Sequence, residues 1–143
     1  MWKPYEQIRN RKPDFLVEYS MIPYDEGGRV QRPFQGYRSD LHYEGEDIQK
    51  DGIYMIHPEF LNEDGSVMLD SDIMVPWTGR AFMWILFFEK MWDYHRQRAT
   101  PGRRCWFMEG SKKVAEATII EQIGLTHHVD LPVWTPESPK QKG

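Results

Sequence analysis

The chain has 143 residues, 40% of them hydrophobic and 28% charged, with a formal net charge of -4. That is the size of one domain with a real core, and the acidic balance excludes a protein that grips nucleic acid with its whole surface, though not one with a local basic patch. The single cysteine, Cys105, excludes an internal disulfide and suits a reducing compartment.

Six tryptophans and seven tyrosines favour an aromatic-rich β architecture over a helical bundle. The opening MWKPYEQIRNRKPDF has no apolar run after its basic residues, so no secretory leader is expected. The longest apolar run, Ala81 to Phe88, is too short to cross a bilayer. A cytoplasmic protein with no membrane contact is the expectation.

Residues 1–13 read as a polar, basic arm with room for one helical turn between Pro4 and Pro13. Phe15 to Ile22 is a first strand, ended by Pro23. Asp25-Glu26-Gly27-Gly28 is a turn in which Gly28 is expected to take the left-handed conformation. Arg29 to Gln35 is an irregular excursion, because Pro33 cannot donate to a ladder. Tyr37 to Tyr43 resumes as a strand with Tyr37, Leu41 and Tyr43 on one face.

Glu44 to Asp72 is an acidic block that reads as a solvated face; it holds a short strand, Ile53 to Ile56, and a turn at Asn62-Glu63-Asp64-Gly65. Ala81 to Trp92 (AFMWILFFEKMW) is expected to be the central strand, with a buried helix as the rival reading. Asp93 to Gly102 is a loop, and Arg103 to Met108 pairs with Lys112 to Ile123 as a hairpin across Glu109-Gly110-Ser111. The ordered barrel therefore spans residues 14–124. Residues 125–143 read as a tail, docked if at all by Trp134.

Enzyme motifs are missing from this pattern. The sequence has no phosphate-cradling P-loop, no dinucleotide fingerprint after Gly27-Gly28, and no H-E-x-x-H. The adjacent His127 and His128 read as a solvated pair rather than a metal site, and Cys105, mid-strand, as a small core hydrophobe. No cofactor is expected. Two basic clusters stand out: Arg29, Arg32 and Arg38, and then Arg103, Arg104, Lys112 and Lys113 around the Glu109-Gly110 turn. Cations beside free backbone amides suit phosphate oxygens; ordinary pairing with the acidic block is the competing reading.

These stretches carry a resemblance. Gly27-Gly28-Arg29 followed by Gly36-Tyr37-Arg38, and the closing segment GRRCWFMEGSKKVAEATI (Gly102 to Ile119), resemble the C-terminal β-barrel domain, domain three, of elongation factor Tu. Ile73-Met74-Val75-Pro76 echoes a further segment of that domain. The resemblance implies an all-β fold, a six-stranded antiparallel Greek-key β-barrel. It also implies contacts with the tRNA backbone by Arg29, Glu109 and Gly110, with Arg32, Arg38, Lys112 and Lys113 as a supporting basic patch. Because Lys112 and Lys113 alternate along a strand, at most one of them is expected to face outward. Asp40 stands where the family has a glutamine, which places a carboxylate near an expected phosphate.

Nothing in the chain matches that factor's GTPase domain, so neither GTP binding nor hydrolysis is implied. The expected function is a stand-alone, non-enzymatic binding module that docks on RNA with a tRNA-like backbone or on a translation component. The alternative is a protein-interaction or scaffold module that mimics the factor to bind its protein partners.

Overall fold

Alternation of apolar and polar residues, clearest in the first and last strands, sets the faces of six strands: β1 (Phe15–Met21), β2 (Asp40–Tyr43), β3 (Ile56–Phe60), β4 (Thr78–Ile85), β5 (Arg104–Glu109) and β6 (Lys112–Gln122). The computed structural model describes residues 1–127, and in it every strand pairing is antiparallel. The strands form one sheet in the order β2-β5-β6-β1-β4-β3. This sheet curls until its two edges meet, where the amides of Leu41 and Tyr54 each donate to the other's carbonyl at 2.9 Å. The result is an all-β barrel.

The core fills the inside of that curl. Phe15, Val17, Tyr19 and Met21 of β1 point inward with Leu41, Tyr43, Ile56, Phe60, Met83 and Phe107. On β6 the inward residues Ala115 and Ala117 lie across from Met21 and Tyr19 on one side, and from Phe107 and Cys105 on the other. Small side chains on the middle strand let the large rings of its neighbours meet, with Tyr19 and Phe107 centroids 6.1 Å apart. Burial pushes the Cys105 thiol up to about 12, in keeping with an unreactive core residue.

Among the described residues three α-helices join the strands: α1 (Tyr5–Arg9), α2 (Ile48–Asp51) and α3 (Phe88–Arg98). The first is the helical turn expected between Pro4 and Pro13, and it packs on the sheet. Tyr5 is buried against Trp84, their rings 5.6 Å apart. The fully buried Glu59 carboxylate accepts from Trp2 Nε1 at 2.8 Å, the Tyr5 amide at 2.8 Å and Trp84 Nε1 at 3.0 Å. So the acidic block is not wholly solvated. Asp14 ends the arm, accepting from Arg11 Nη1 at 2.8 Å and the Ile85 amide at 2.7 Å; burial raises its carboxyl to about 6.

The second correction is α3. Of the expected strand Ala81 to Trp92, only the part to Ile85 is strand; Phe88 begins a helix that runs through the expected loop to Arg98. Alternation stops at Ile85, and Phe88, Met91, Trp92 and His95 then follow at helical spacing on one packed face. His95 Nδ1 meets the Tyr43 hydroxyl at 2.7 Å, and Tyr54, Tyr94 and Glu46 extend that polar cluster. Gln122 Nε2 donates to the Arg96 and Ala99 carbonyls, fixing the end of the helix to β6. Two other strands shift: β2 begins at Asp40 rather than Tyr37, and the short strand after it is Ile56–Phe60 rather than Ile53 to Ile56. The expected tail and its Trp134 lie outside the described residues, except for a 3-10 turn at Gly124–His127.

The glycine turn is built differently from expectation. Gly27, with φ 98°, takes the left-handed conformation; Gly28 does not. Gly28 instead has no room for a side chain, since a Cβ there would sit 1.7 Å from the Ile22 carbonyl oxygen. We expect Gly28→Ala to cost on the order of 1–3 kcal/mol through forced backbone displacement, more than the roughly 1 kcal/mol expected for Gly27→Ala. Urea unfolding midpoints check this, and equal midpoints for the two variants would refute it.

His95 carries a second prediction. Burial lowers its pKa from 6.5 to about 3, with Arg98 adding to the effect. Below pH 6.5 the unfolded chain takes up a proton that the folded chain refuses, so stability present above that pH falls as pH drops toward 3. In His95→Phe this limb should flatten. Thermal unfolding between pH 7 and pH 4 reads the difference between the two proteins.

Candidate interaction face

Three connections meet at one end of the barrel: the β1–β2 excursion, the end of the β3–β4 connection, and the β5–β6 hairpin tip. Backbone hydrogen bonds lock them together, from Ile22 N to Val114 O at 3.0 Å and from Met21 N to Trp77 O at 2.8 Å. Tyr19 also donates its hydroxyl to the Pro76 carbonyl at 3.1 Å. Pro33 and Pro76 keep the two long connections out of the regular ladder.

This geometry brings Arg29 and Glu109 together. Arg29 Nε lies 3.0 Å from Glu109 Oε2, and its guanidinium stacks over the Tyr37 ring at 4.7 Å. Tyr37 donates its hydroxyl to the same carboxylate oxygen, and burial together with that carboxylate pushes the phenol far above its ordinary pKa. The two turns are thus fastened by one cation, one anion and one phenol. Gly110 forms the hairpin tip with φ 58°.

The remaining basic residues scatter. Arg32 Nη1 donates to the Val75 carbonyl at 3.1 Å and its guanidinium lies 5.0 Å over the Trp77 ring. Arg38 is exposed and its charge acts on the buried His57 of β3, whose pKa is lowered first by burial and then by Arg38. Arg103 and Arg104 are not at the Glu109-Gly110 turn at all. Arg103 precedes β5 and Arg104 begins it, at the opposite end, where Arg103 donates to the Glu44 carbonyl and Arg104 pairs with Glu116 at 2.8 Å.

Lys112 and Lys113 are both exposed, against the expectation that alternation hides one. They sit at the tip, and a register shift beside Phe107/Met108 breaks the alternation there. Lys113 Nζ lies 3.8 Å over the Trp106 ring, which also stacks with His42. Among the described residues, Arg38, Lys112 and Lys113 make no salt bridge. Asp40 is half-buried, and its pKa is raised by that burial.

The sequence reading missed an apolar surface at this same end. Trp77 is 50% exposed and Val30 79%, and Phe34, Ile73 and Met74 are exposed with them. An antiparallel bridge joins Phe34 to Met74, and Arg32 spans from there to Trp77. The only signal in the sequence was large apolar residues flanking prolines in stretches where no strand parity could turn them inward. Beside Ile73 and Met74 opens a groove of about 960 Å³ floored by outward residues of β1, β4 and β6, including Glu18, Arg80 and Glu116. Glu116 is held by Arg104, and no histidine or cysteine lines the groove. No cluster suited to a metal ion occurs among the described residues.

The Arg29–Glu109 pair is partly open to solvent, so its coupling should be small. A double-mutant cycle on Arg29→Ala and Glu109→Ala is expected to give about 0.5–1 kcal/mol in unfolding free energy. Zero coupling would show that the ion pair itself adds nothing and that Tyr37 and the backbone contacts hold the two turns.

No protein-family model and no curated protein matches this chain.

Proposed function

We propose that the chain is a binding module that docks a partner protein through this end of the barrel. The observation that carries the reading is the exposed apolar group of Val30, Phe34, Met74 and Trp77 built around Arg32. Tryptophan and arginine side by side, on a rigid scaffold, are the composition of an interface centre rather than of an ordinary surface. The rigidity comes from the barrel, since both connections are tied to strands by backbone hydrogen bonds. A preorganised face loses little entropy on docking.

An RNA-docking reading has one specific observation in its favour, the exposed Lys112 and Lys113 at the hairpin tip, which make no salt bridge among the described residues. Against it, Arg29 is engaged by Glu109, so a phosphate must compete with a carboxylate already in place. The motif likeness to domain three of elongation factor Tu makes translation components the first partners to try under either reading. No helix among the described residues is long and apolar enough to cross a membrane, and the buried Cys105 suits the reducing cytoplasm we favour as the site of action.

Affinity capture from the native host, with and without nuclease, tests the reading. Proteins retained after nuclease and lost with Trp77→Asp are the expected result. Should nuclease release everything, and should filter retention of tRNA fall about tenfold or more in a Lys112→Ala/Lys113→Ala variant and weaken with salt, the RNA reading replaces it.

A further inference from the structure

We infer that the partner protein at this face is a second copy of this chain, docked about a two-fold axis passing near Phe34 and Met74. The inference rests on the protein-docking reading and names its partner.

The argument is one of charge order. The bridge between Phe34 and Met74 is antiparallel, so the residues before Phe34 run beside those after Met74. Val75 N donates to Pro33 O at 2.8 Å, and Arg32 reaches the Val75 carbonyl and the Trp77 ring on that side. On the other side, Gly36 runs toward Trp2, whose ring lies 3.0 Å from where a Gly36 Cβ would be. Trp2 N in turn donates to Leu69 O at 2.9 Å, which brings Asp70 and Asp72 to that flank. The exposed apolar centre therefore has a guanidinium on one flank and two carboxylates on the other.

A two-fold rotation exchanges the flanks. An isologous interface requires that residue i meet residue j while j meets i, and this surface satisfies that with Arg32 facing Asp72 of the copy twice over. Among the described residues neither Arg32 nor Asp72 has an ion-pair partner in its own chain, and Arg32 is held in place by the Val75 carbonyl and the Trp77 ring. Arg29 does not disturb the arrangement, because Glu109 already compensates it. Other occupants fit less well. A nucleic-acid backbone is repelled by Asp70 and Asp72, and so is a uniformly acidic protein. A uniformly basic one meets Asp70 and Asp72 on one flank but leaves Arg32 facing a like charge on the other. What fits is a surface with the same two charges in reversed order around an apolar centre, and this chain carries one.

Sedimentation equilibrium of the full chain, from micromolar to millimolar protein, is the test. The wild type should show a monomer–dimer equilibrium, and Trp77→Asp should be monomeric with an unchanged circular dichroism spectrum. Arg32→Asp and Asp72→Arg should each weaken the dimer by roughly tenfold or more, because each brings like charges together. Mixing those two variants should restore dimers. In the heterodimer the introduced carboxylate of one copy faces the introduced guanidinium of the other, and the unaltered Asp72 faces the unaltered Arg32. A wild type that stays monomeric, a dimer that survives Trp77→Asp, or a mixture that stays monomeric overturns the inference. If the wild type is monomeric while Trp77-dependent capture of another protein persists, the docking reading stands without it. If no association of either kind depends on Trp77, both fall.

Discussion

The Glu59 carboxylate is the point on which the rest of the structure leans. It sits on the outward side of β3, fully buried, and takes three N–H donors from three parts of the chain. A buried carboxylate is costly unless its acceptor sites are filled. Here two indoles and a backbone amide fill them, and so the N-terminal arm has one place to lie. With the arm in place, Trp84 is covered, Trp2 is set against Gly36, and Leu69 is tied to the Trp2 amide. The connection that carries Asp70 to Trp77 inherits its position from that contact. A polar residue on the outside of the sheet thus orders the apolar face at its end.

Much of the barrel was legible because alternation is a strong local signal. The hairpin around Glu109-Gly110-Ser111 and the strand from Phe15 are read directly from apolar parity and a glycine turn. Parity fails where burial is two-sided. In the run from Ala81, continuous apolar residues hide the change from strand to helix, and only the spacing from its last residue, Phe88, to Trp92 and His95 reveals it. Glu59 was illegible for a different reason. Nothing local separates it from the other carboxylates of its block, because its three donors come from positions 2, 5 and 84. The glycine pair shows a finer limit: sequence marks both residues, while the φ of one and the crowding of the other by the Ile22 carbonyl are set by the folded chain.

The end face shows the same division. The resemblance to the elongation-factor domain implied that Arg29, Glu109 and Gly110 contact one RNA backbone, and Arg29 and Glu109 do lie together. They meet as partners of one another. A guanidinium that reads as available in sequence is spent on holding two turns together, and the exposed side chains beside it are apolar. The distribution of Arg103 and Arg104 to the far end of β5 divides what looked like one basic cluster into two unrelated ones. The chemistry of the face therefore lies less in its cations than in how few charges surround Trp77, and in their order.

The strand order has a consequence for how the chain is made. β1 is the first of these six strands to be synthesised, yet it is flanked by β4 and β6. Its apolar side, from Phe15 to Met21, cannot be enclosed until residues near position 120 have emerged, because Phe15 pairs with Gln122. During most of synthesis the nascent chain thus displays an unpaired, aromatic-rich edge. Such an edge is a template for misplaced pairing. Pro4 and Pro13 precede that strand, and neither offers an amide to an incoming one. The same arm that covers β3 and β4 in the finished barrel is the segment of the described chain that directly precedes this strand.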